Sequence, residues 1–459
     1  MAVPRTSRGP RTTGVKGRRR TAGEPLLEIH DIQGNVLAGF NKDHQALIAI
    51  AIRDVASARR WLGRIAGAIS STAEVLQFND LFRMQRVRLD ADPPGLVATW
   101  ANLARSHDGL AALMSAAHAD LVPDAASRQG LPERASLLGD PGPAADPTAG
   151  WVVGAKGRVP HMILIVASDD PAKLADVCAR LRPGAGDGAA APDVIWEELG
   201  ETRVDRPGHE HFGFKDGVSQ PAVRGMISRR PNMFLAPRLL APAGAGQVQC
   251  ARPGQPLVWP GQFVFGYPST DASGGTGGGP VPPPKSTPTW IRNASLLVFR
   301  RLSQDVAGFT QFVRKTADDL AVSGMPGLSG MSPAHLGALI VGRWASGAPI
   351  ARAPGTDLPA IAADTLANND FLFTINTPPP VFLPGVPGSP NVFPAAVTDR
   401  RGVICPHAAH IRKMNPRDQA TSWLSRRNTS SDAFRIHVGV LFGGGTGPSP
   451  VPPLASVEG

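Results

Sequence analysis

The chain has little of what would anchor a protein in a membrane or cross-link it outside the cell. Its longest apolar runs, such as residues 46–52 and 162–167, are strand-sized and far short of the roughly 20 residues that span a bilayer. Three cysteines, Cys178, Cys250 and Cys405, are too few and too scattered for a disulfide framework, so we predict a cytoplasmic protein. With 42% apolar and 18% charged residues among 459, the composition fits an ordinary soluble protein of two or more domains.

Acidic residues are missing from the first part of the chain. No Asp or Glu precedes Glu24, whereas this stretch holds seven of the basic residues behind the net charge of +10. Because the tail at 1–24 also lacks aromatics, we predict a disordered, solvated arm, with an electrostatic tether as the alternative. The rest of the chain is nearly neutral, so no nucleic-acid partner is expected. Thr-Ala-Gly-Glu-Pro after the arginines does not fit an export signal.

Hydrophobic periodicity predicts an α+β fold. Strands are expected at 46–52, 74–78, 161–167 and 194–199, with helices that begin after Asp54 and at Asp170-Pro171. Strand, helix, strand, then strand, helix, strand is the ferredoxin-like order, with two helices on one face of an antiparallel sheet. After a Gly- and Pro-rich passage, the pattern resumes with a strand at 295–300, a helix from Ser303 and a helix from Ser332 to Trp344.

One candidate for chemistry is the stretch 209–221, His-Glu-His-Phe-Gly-Phe-Lys-Asp-Gly-Val-Ser-Gln-Pro. Its carboxylate Asp216 lies in the frame Gly213-x-x-Asp216-Gly217. An Asp between glycines often marks a simple turn. Between Phe212 and Phe214 on one side and a proline on the other, it also fits a rigid loop that presents an ionisable group to an apolar cavity, where burial would tune its pKa.

A second candidate is the stretch 405–417, Cys-Pro-His-Ala-Ala-His-Ile-Arg-Lys-Met-Asn-Pro-Arg. A lone histidine is more often structural than a ligand. The spacing Cys-x-His-x-x-His also fits a partial zinc site that lacks a fourth ligand. Spacing alone leaves both readings open.

Taken together, these stretches resemble the dye-decolourising peroxidases, a family of haem enzymes, and in particular its longer-loop branch. The same order of motifs includes Asp31-Ile-Gln-Gly-Asn-Val-Leu, Trp259-Pro-Gly-Gln-Phe-Val-Phe-Gly-Tyr-Pro, Val341-Gly-Arg-Trp-Ala-Ser-Gly-Ala-Pro and Asn368-Asn-Asp-Phe. The resemblance covers most of the chain from about Asp31 onward. It implies two ferredoxin-like domains in series of the dimeric α+β barrel type: 25–225, ending in the Asp216 loop, and 226–443, which holds the haem, followed by a Pro/Gly-rich tail at 444–459.

The resemblance also implies the site. One haem b per chain would be bound by His410 as the proximal iron ligand, and Asp216 would move the protons of hydrogen peroxide while an aromatic compound or dye supplies electrons. Further cofactor contacts would come from Phe214, Gly217, Val218, Ser219 and Gln220. Arg412 and Arg417 would pair with the haem propionates, or else be surface arginines.

The last part of the chain departs from the family pattern. Where the family has a distal arginine in a late strand, this chain has His437, and Arg435 lies two residues earlier, on the same face of a strand. The chain stops at Gly459, so we expect an incomplete second sheet, an impaired peroxidase and self-association into a homo-oligomer. A haem-binding pseudo-peroxidase that acts as a sensor or carrier, and a haem-free relic, are the alternatives.

Overall fold

The computed structural model describes residues 25–188, 190–226, 237–239, 248–250, 257–270, 280–324, 329–365, 367–373, 393–414 and 417. Its helices are α1 Gly34–Leu37, α2 Val55–Ile65, α3 Thr72–Leu89, α4 His107–Leu113, α5 Ala116–Ala119, α6 Ala125–Leu138, α7 Pro171–Leu181, α8 Val306–Val322, α9 Pro333–Val341, α10 Pro359–Ala363 and α11 His410–Met414. Its strands are β1 His44–Ala51, β2 Thr99–Arg105, β3 Met162–Ser168, β4 Asp193–Glu201, β5 Ala222–Val223, β6 Pro237–Leu239, β7 Val248–Cys250, β8 Leu257–Val258, β9 Ser269–Thr270 and β10 Pro280–Val281.

The first half is built on a four-stranded antiparallel sheet in the order β2-β3-β1-β4. Ile48 of β1 pairs with Leu164 of β3 and with Glu197 of β4, which fixes the register. Helices α2 and α7 cover one face, where the Trp61 indole donates a 2.8 Å hydrogen bond to the Leu181 carbonyl. The predicted ferredoxin-like order is therefore confirmed in this half, and the α+β class with it.

The predicted strand at 74–78 is wrong, because these residues belong to α3. Ser71 caps this helix through a capping box: the Glu74 carboxylate accepts the Ser71 N–H at 2.6 Å, and the Ser71 hydroxyl accepts the Glu74 N–H at 3.3 Å. The strand that completes the sheet is β2, which sequence periodicity missed.

The predicted strand at 295–300 is also wrong. This segment forms no regular secondary structure, and side chains connect it and the next residue with β4: the Phe299 and Trp196 rings are 5.8 Å apart, and Arg301 pairs with Glu198 at 2.8 Å. In the part of the chain described after β4, the strands form three two-stranded sheets. The predicted domain boundaries at 225 and 443 stay predictions.

The predicted helices of the second half form, with shifted ends. Helix α8 is capped by Asp305, and α9 is capped by Ser332 as expected. Helix α9 ends at Val341, before Trp344, because Gly342 adopts a φ of 88° that stops the helix. Beyond it, Ile350, Phe371, Phe373 and Cys405 form the largest core of this half. None of the described helices is long and apolar enough to cross a membrane.

Candidate active site

Asp216 lies at the end of a tight hairpin, residues 208–217, which we call the Asp216 hairpin. The Asp216 N–H donates to the Gly208 carbonyl at 2.8 Å, and His209 pairs with Lys215 across the hairpin. Gly213 at the tip has a φ of 97°, in the left-handed region that favours glycine. The Gly217 N–H donates to one Asp216 carboxylate oxygen at 2.7 Å. The Gly-x-x-Asp-Gly frame is therefore a turn and also fixes the carboxyl group.

A buried carboxylate, Glu210, holds the inside of this hairpin. Its side chain accepts hydrogen bonds from the Phe212 N–H at 2.6 Å, the Phe214 N–H at 2.7 Å and the Gln304 side chain at 2.8 Å. The rings of Phe212 and Phe214 pack against Phe309 of α8, at 4.6 and 6.4 Å between centroids. The hairpin is thus fastened to α8 and to the residue before its cap.

Sequence reasoning missed Glu210, although it lies inside the quoted motif. The available signal was a carboxylate next to the hairpin phenylalanines, in a stretch already read as facing a cavity. That signal is not sufficient, because a glutamate between two histidines in the sequence can be exposed as easily as buried.

The turn at 342–349 supports both the Asp216 hairpin and the helix that begins at His410. On one side, the Ala345 carbonyl accepts the Lys215 N–H at 3.1 Å, and a Cβ on Gly347 would lie 3.0 Å from the Lys215 side chain. On the other side, a Cβ on Gly342 would lie 1.8 Å from Ile411 of α11. The structure therefore brings the two predicted chemical segments onto one shared support.

The electrostatic environment differs between the two groups. Burial raises the pKa of Asp216 above its ordinary value, and the negative charge of Glu210 raises it further, against the Gly217 N–H. Burial lowers the pKa of His410, and Glu210 partly opposes this. Asp216 thus holds its proton more tightly than a free carboxyl, whereas the His410 imidazole is favoured in its neutral form. The negative charge of Glu210 raises the pKa of both groups.

A buried arginine, Arg343, lies behind the hairpin. Its guanidinium donates to the carbonyls of Gly347 and Asn368, at 2.8 and 2.7 Å, and to the Asn369 side-chain oxygen at 2.5 Å. The Asn369 amide in turn donates to the Val218 carbonyl at 2.5 Å. Burial lowers the pKa of Arg343 to about 9. This chain of contacts fixes Val218, two residues after Asp216, and was not foreseen from the sequence.

Arg412 and Arg417 are buried, so the reading as surface arginines is wrong. Arg412 is 3% exposed, pairs with Asp399 at 2.9 Å and lies 4.1 Å from the centre of the Phe373 ring. Arg417 is 7% exposed and donates to the Asn369 and Phe371 carbonyls at 2.9 and 3.2 Å. These partners are internal, so they do not support the propionate pairing, which stays a prediction.

The other predicted residues of the site have mixed surroundings. Phe214 lines a cavity of about 300 Å³ together with Trp344 and Asp357. Val218, Ser219 and Gln220 are half-buried and Gly217 is exposed. Arg435 and His437 lie outside the residues that the structure describes.

The zinc reading of 405–417 finds no support. Cys405 is 1% exposed, and burial raises the pKa of its thiol to about 11, so the thiol stays protonated. His407 is exposed. Within the described ranges, no group of three His, Cys, Asp or Glu side chains could hold a metal ion.

Fold and site together define an α+β protein in which the segments that carry a proton-binding carboxyl group and a neutral imidazole, both half-buried, pack against one turn. Residues 31–189 match the family model described as the DyP dimeric alpha+beta barrel domain. The dye-decolorizing peroxidase msp1 of Mycetinis scorodonius is 31% identical over 421 residues, which are 91% of this chain and 65% of that protein. These matches support the dye-decolourising peroxidase family for this chain, with residues 31–189 matching its barrel domain.

Solved structures agree with this assignment. An ancestral D-type dye-decolorizing peroxidase superposes with a TM-score of 0.62 at 29% identity, covering 90% of this chain and 73% of that one. A dye-decolorizing peroxidase in complex with 2,6-dimethoxyphenol gives a TM-score of 0.58 at 25% identity, covering 86% and 73%. The chain spans slightly less than two thirds of the length of the Mycetinis relative, at 65%.

Proposed function

We propose that this protein is a haem-dependent peroxidase that reduces hydrogen peroxide and oxidises dyes or other aromatic compounds. The observation that supports the proposal is that the segments that carry Asp216 and His410 both contact the 342–349 turn, through Lys215 and Ile411. The charge of Glu210 also raises the pKa of both groups. Similarity to the dye-decolourising peroxidase family supports the same chemistry. The peroxidase activity as a whole is proposed for this chain, because the chain covers only 65% of the length of the Mycetinis relative.

The residues present fit a haem b group. His410 would hold it through a half-buried imidazole whose lowered pKa keeps a nitrogen lone pair available to a metal. Phe214 of the Asp216 hairpin, with Val218, Ser219 and Gln220 just after the hairpin, would supply a further wall of the haem site. When bound, the haem iron supplies the centre at which the oxygen–oxygen bond of peroxide is cleaved.

Asp216 would handle the protons of that reaction. Its ionised carboxylate accepts a proton from one peroxide oxygen, and the resulting carboxylic acid donates it to the oxygen that leaves as water. A raised pKa suits the second half of this task, because it keeps the acid form populated closer to neutral pH. The Gly217 N–H donates to the Asp216 carboxylate, and the Asp216 N–H donates to the Gly208 carbonyl. These two bonds would hold the carboxyl group in one position while it accepts the proton and then donates it.

The electron donor is proposed to be an aromatic compound. A related peroxidase has been solved with 2,6-dimethoxyphenol bound, which supports a phenolic or dye-like donor for this chain as well. Arg435 or His437 would polarise the peroxide, as predicted from the sequence. A cytoplasmic location and self-association stay predictions.

The test is a visible spectrum of the purified protein, with and without hydrogen peroxide, followed by turnover of an aromatic dye. We expect a haem spectrum, a spectral change on peroxide addition and dye oxidation that needs peroxide. A haem spectrum without peroxide turnover would instead support the pseudo-peroxidase alternative, acting as a sensor or carrier. A purified protein that takes up no haem would overturn the proposal.

A further inference from the structure

Glu210 is a buried carboxylate whose side chain forms no salt bridge with a described residue, although the Arg203 guanidinium donates to its backbone carbonyl at 3.0 Å and interacts with its charge. It is 3% exposed, and no lysine or arginine of the described ranges lies within ion-pair distance of its carboxylate. Its three hydrogen-bond donors, two backbone N–H groups and the Gln304 amide, are all neutral. Hydrogen bonds of this kind stabilise a carboxylate without cancelling its charge. Its field therefore reaches the neighbouring groups of the site.

The bonds of Glu210 are placed to control where Asp216 lies. The Phe212 and Phe214 N–H groups that it binds stand four and two residues before Asp216, and its own N–H donates to the Phe214 carbonyl at 3.0 Å. The Gln304 contact ties the same carboxylate to the start of α8. A shift of Glu210 would therefore move the hairpin backbone on which Asp216 is mounted.

We propose that Glu210 is a positioning residue for the acid–base group: it fixes the backbone that carries Asp216 and places a second negative charge beside it. The inference rests on the proposed function, because it takes Asp216 as the group that moves the proton. It goes further by giving the site a second carboxylate that contacts neither peroxide nor cofactor.

The charge of Glu210 has a consequence for pH. A fixed negative charge disfavours ionisation of a neighbouring carboxyl, so Glu210 keeps Asp216 protonated to higher pH than burial alone would. Removing that charge should lower the pH at which Asp216 ionises. The other charged or titratable groups around the hairpin are Arg203 and Arg206 before it, His209, His211 and Lys215 within it, Arg343 behind Asn369, and His410 from α11.

The experiment follows the protonated Asp216 carboxyl directly. In the haem-loaded protein, its infrared carbonyl band is recorded against pH and assigned by its absence in Asp216→Asn. In Glu210→Gln, which keeps the shape of the side chain but removes its charge, we expect the titration midpoint to fall by roughly 0.5–1 pH unit. The acid limb of the peroxide reaction should move to lower pH by the same amount.

A matched pair at Gln304 leaves Glu210 and its backbone bonds in place. Gln304→Lys puts a cation beside the Glu210 carboxylate and should also lower the midpoint, whereas Gln304→Met removes only a neutral donor and should leave it within about 0.2 unit. This pair decides the question even if Glu210→Gln does not fold. Equal midpoints in native protein and Gln304→Lys, or equal shifts in the lysine and methionine variants, would overturn the inference.

Failure of the inference and failure of the proposed function give different results. Suppose that Asp216→Asn abolishes the peroxide reaction, but Glu210→Gln and Gln304→Lys leave the titration midpoint of Asp216 unchanged. In that case only the positioning role of Glu210 is wrong. If Asp216→Asn reacts with peroxide at the native rate, Asp216 is not the acid–base group and the proposed function fails at this site.

Discussion

The two halves of the site, the Asp216 hairpin and the helix that begins at His410, are both held by a buried charge, but in different ways. The hairpin is organised by Glu210, whose carboxylate is bound by neutral donors. The His410 side is organised by Arg412, whose guanidinium is paired with the buried carboxylate of Asp399. The Glu210 carboxylate therefore forms no salt bridge of its own with a described residue, whereas the Arg412–Asp399 pair is neutral overall.

This difference separates two tasks. The two charges of an ion pair act on a nearby group in opposite directions, as Arg412 lowers and Asp399 raises the pKa of the Cys405 thiol. Asp399 also has a structural use, since it accepts the N–H groups of Val403, Ile404 and Cys405. The Glu210 carboxylate acts at a distance, on Asp216 and on His410. On the proposed function, the hairpin half would tune proton transfer, while the helix half would hold the imidazole in place.

The largest expected effect is on cofactor binding. His410→Ala should abolish the visible haem spectrum, because the only proposed axial ligand is lost, while far-ultraviolet circular dichroism stays nearly unchanged. His407→Ala is the matched control: this histidine is exposed in the same segment, and its variant should keep the spectrum. If His410→Ala keeps its haem spectrum and His407→Ala loses it, the ligand is His407 and the helix half has been assigned the wrong imidazole.

The next effect is on the rate of the peroxide reaction. Asp216→Asn should lower it by roughly 10²–10⁴-fold, the range for a lost general acid–base group, without loss of haem. Asp205→Asn is the matched control, because Asp205 is an exposed carboxylate near the hairpin. It should change the rate by less than about 2-fold, since solvent and salt screen an exposed charge. Rapid-mixing spectroscopy measures both. A native rate in Asp216→Asn would show that another group moves the proton.

The fold could be predicted where burial imposes a clear period. Strands β1 and β3 and helices α2 and α7 each bury a set of apolar side chains, so the sequence pattern predicts them. Residues 74–78 were misread because Val75, Leu76 and Phe78 give an apolar run that fits strand or helix equally, and the deciding signal was the capping box at Ser71. Residues 295–300 look like a strand in sequence, but a strand also needs a partner edge, which periodicity cannot supply.

The candidate site could be predicted only as far as its motifs. Asp216 and His410 were identified by resemblance, and the structure adds the 342–349 turn that joins their segments. The partners of Arg412 lie elsewhere along the chain, so its pairing with Asp399 was not visible from spacing. Arg343 and Asn369 stood in motifs that resembled the family, yet their contact with Val218 depends on how three distant segments fold together.

The helix half can be broken through its ion pair. Asp399→Asn removes the carboxylate charge that pairs with the buried Arg412 guanidinium, so the free energy of unfolding should fall by roughly 3–5 kcal/mol. The acid limb of the peroxide reaction should stay where it is in the native protein, because the charge of Glu210 is untouched. Denaturant titration and the pH profile test the two parts. A moved acid limb would mean that the helix half also tunes proton transfer.

The smallest expected effect is on stability, and it shows how far the raised pKa of Asp216 destabilises the folded protein. Asp216 has a raised pKa in the folded protein, because of burial first and Glu210 next. When the pH is below 3.8, the ordinary pKa of an aspartate, the Asp216 carboxyl is protonated in both the folded and the unfolded chain, so its raised pKa does not change the free energy of unfolding. As pH rises past that value, the unfolded chain ionises first, and the folded state loses relative stability until Asp216 ionises as well.

Asp216→Asn should therefore be more stable than the native protein at pH 7.5, with a smaller gain at pH 4.5. We expect a rise of roughly 1–2 °C in the first melting transition, since about 1 kcal/mol moves the melting temperature by only 2–4 °C in domains of 150–250 residues. Asp205→Asn gives the opposite sign, because the hydrogen bond from Arg203 lowers the pKa of Asp205, and the ionised form is the one that stabilises the fold. If Asp216→Asn melts lower than the native protein at pH 7.5, the ionised carboxylate of Asp216 is stabilised by a cation, and the hairpin half is neutralised like the helix half.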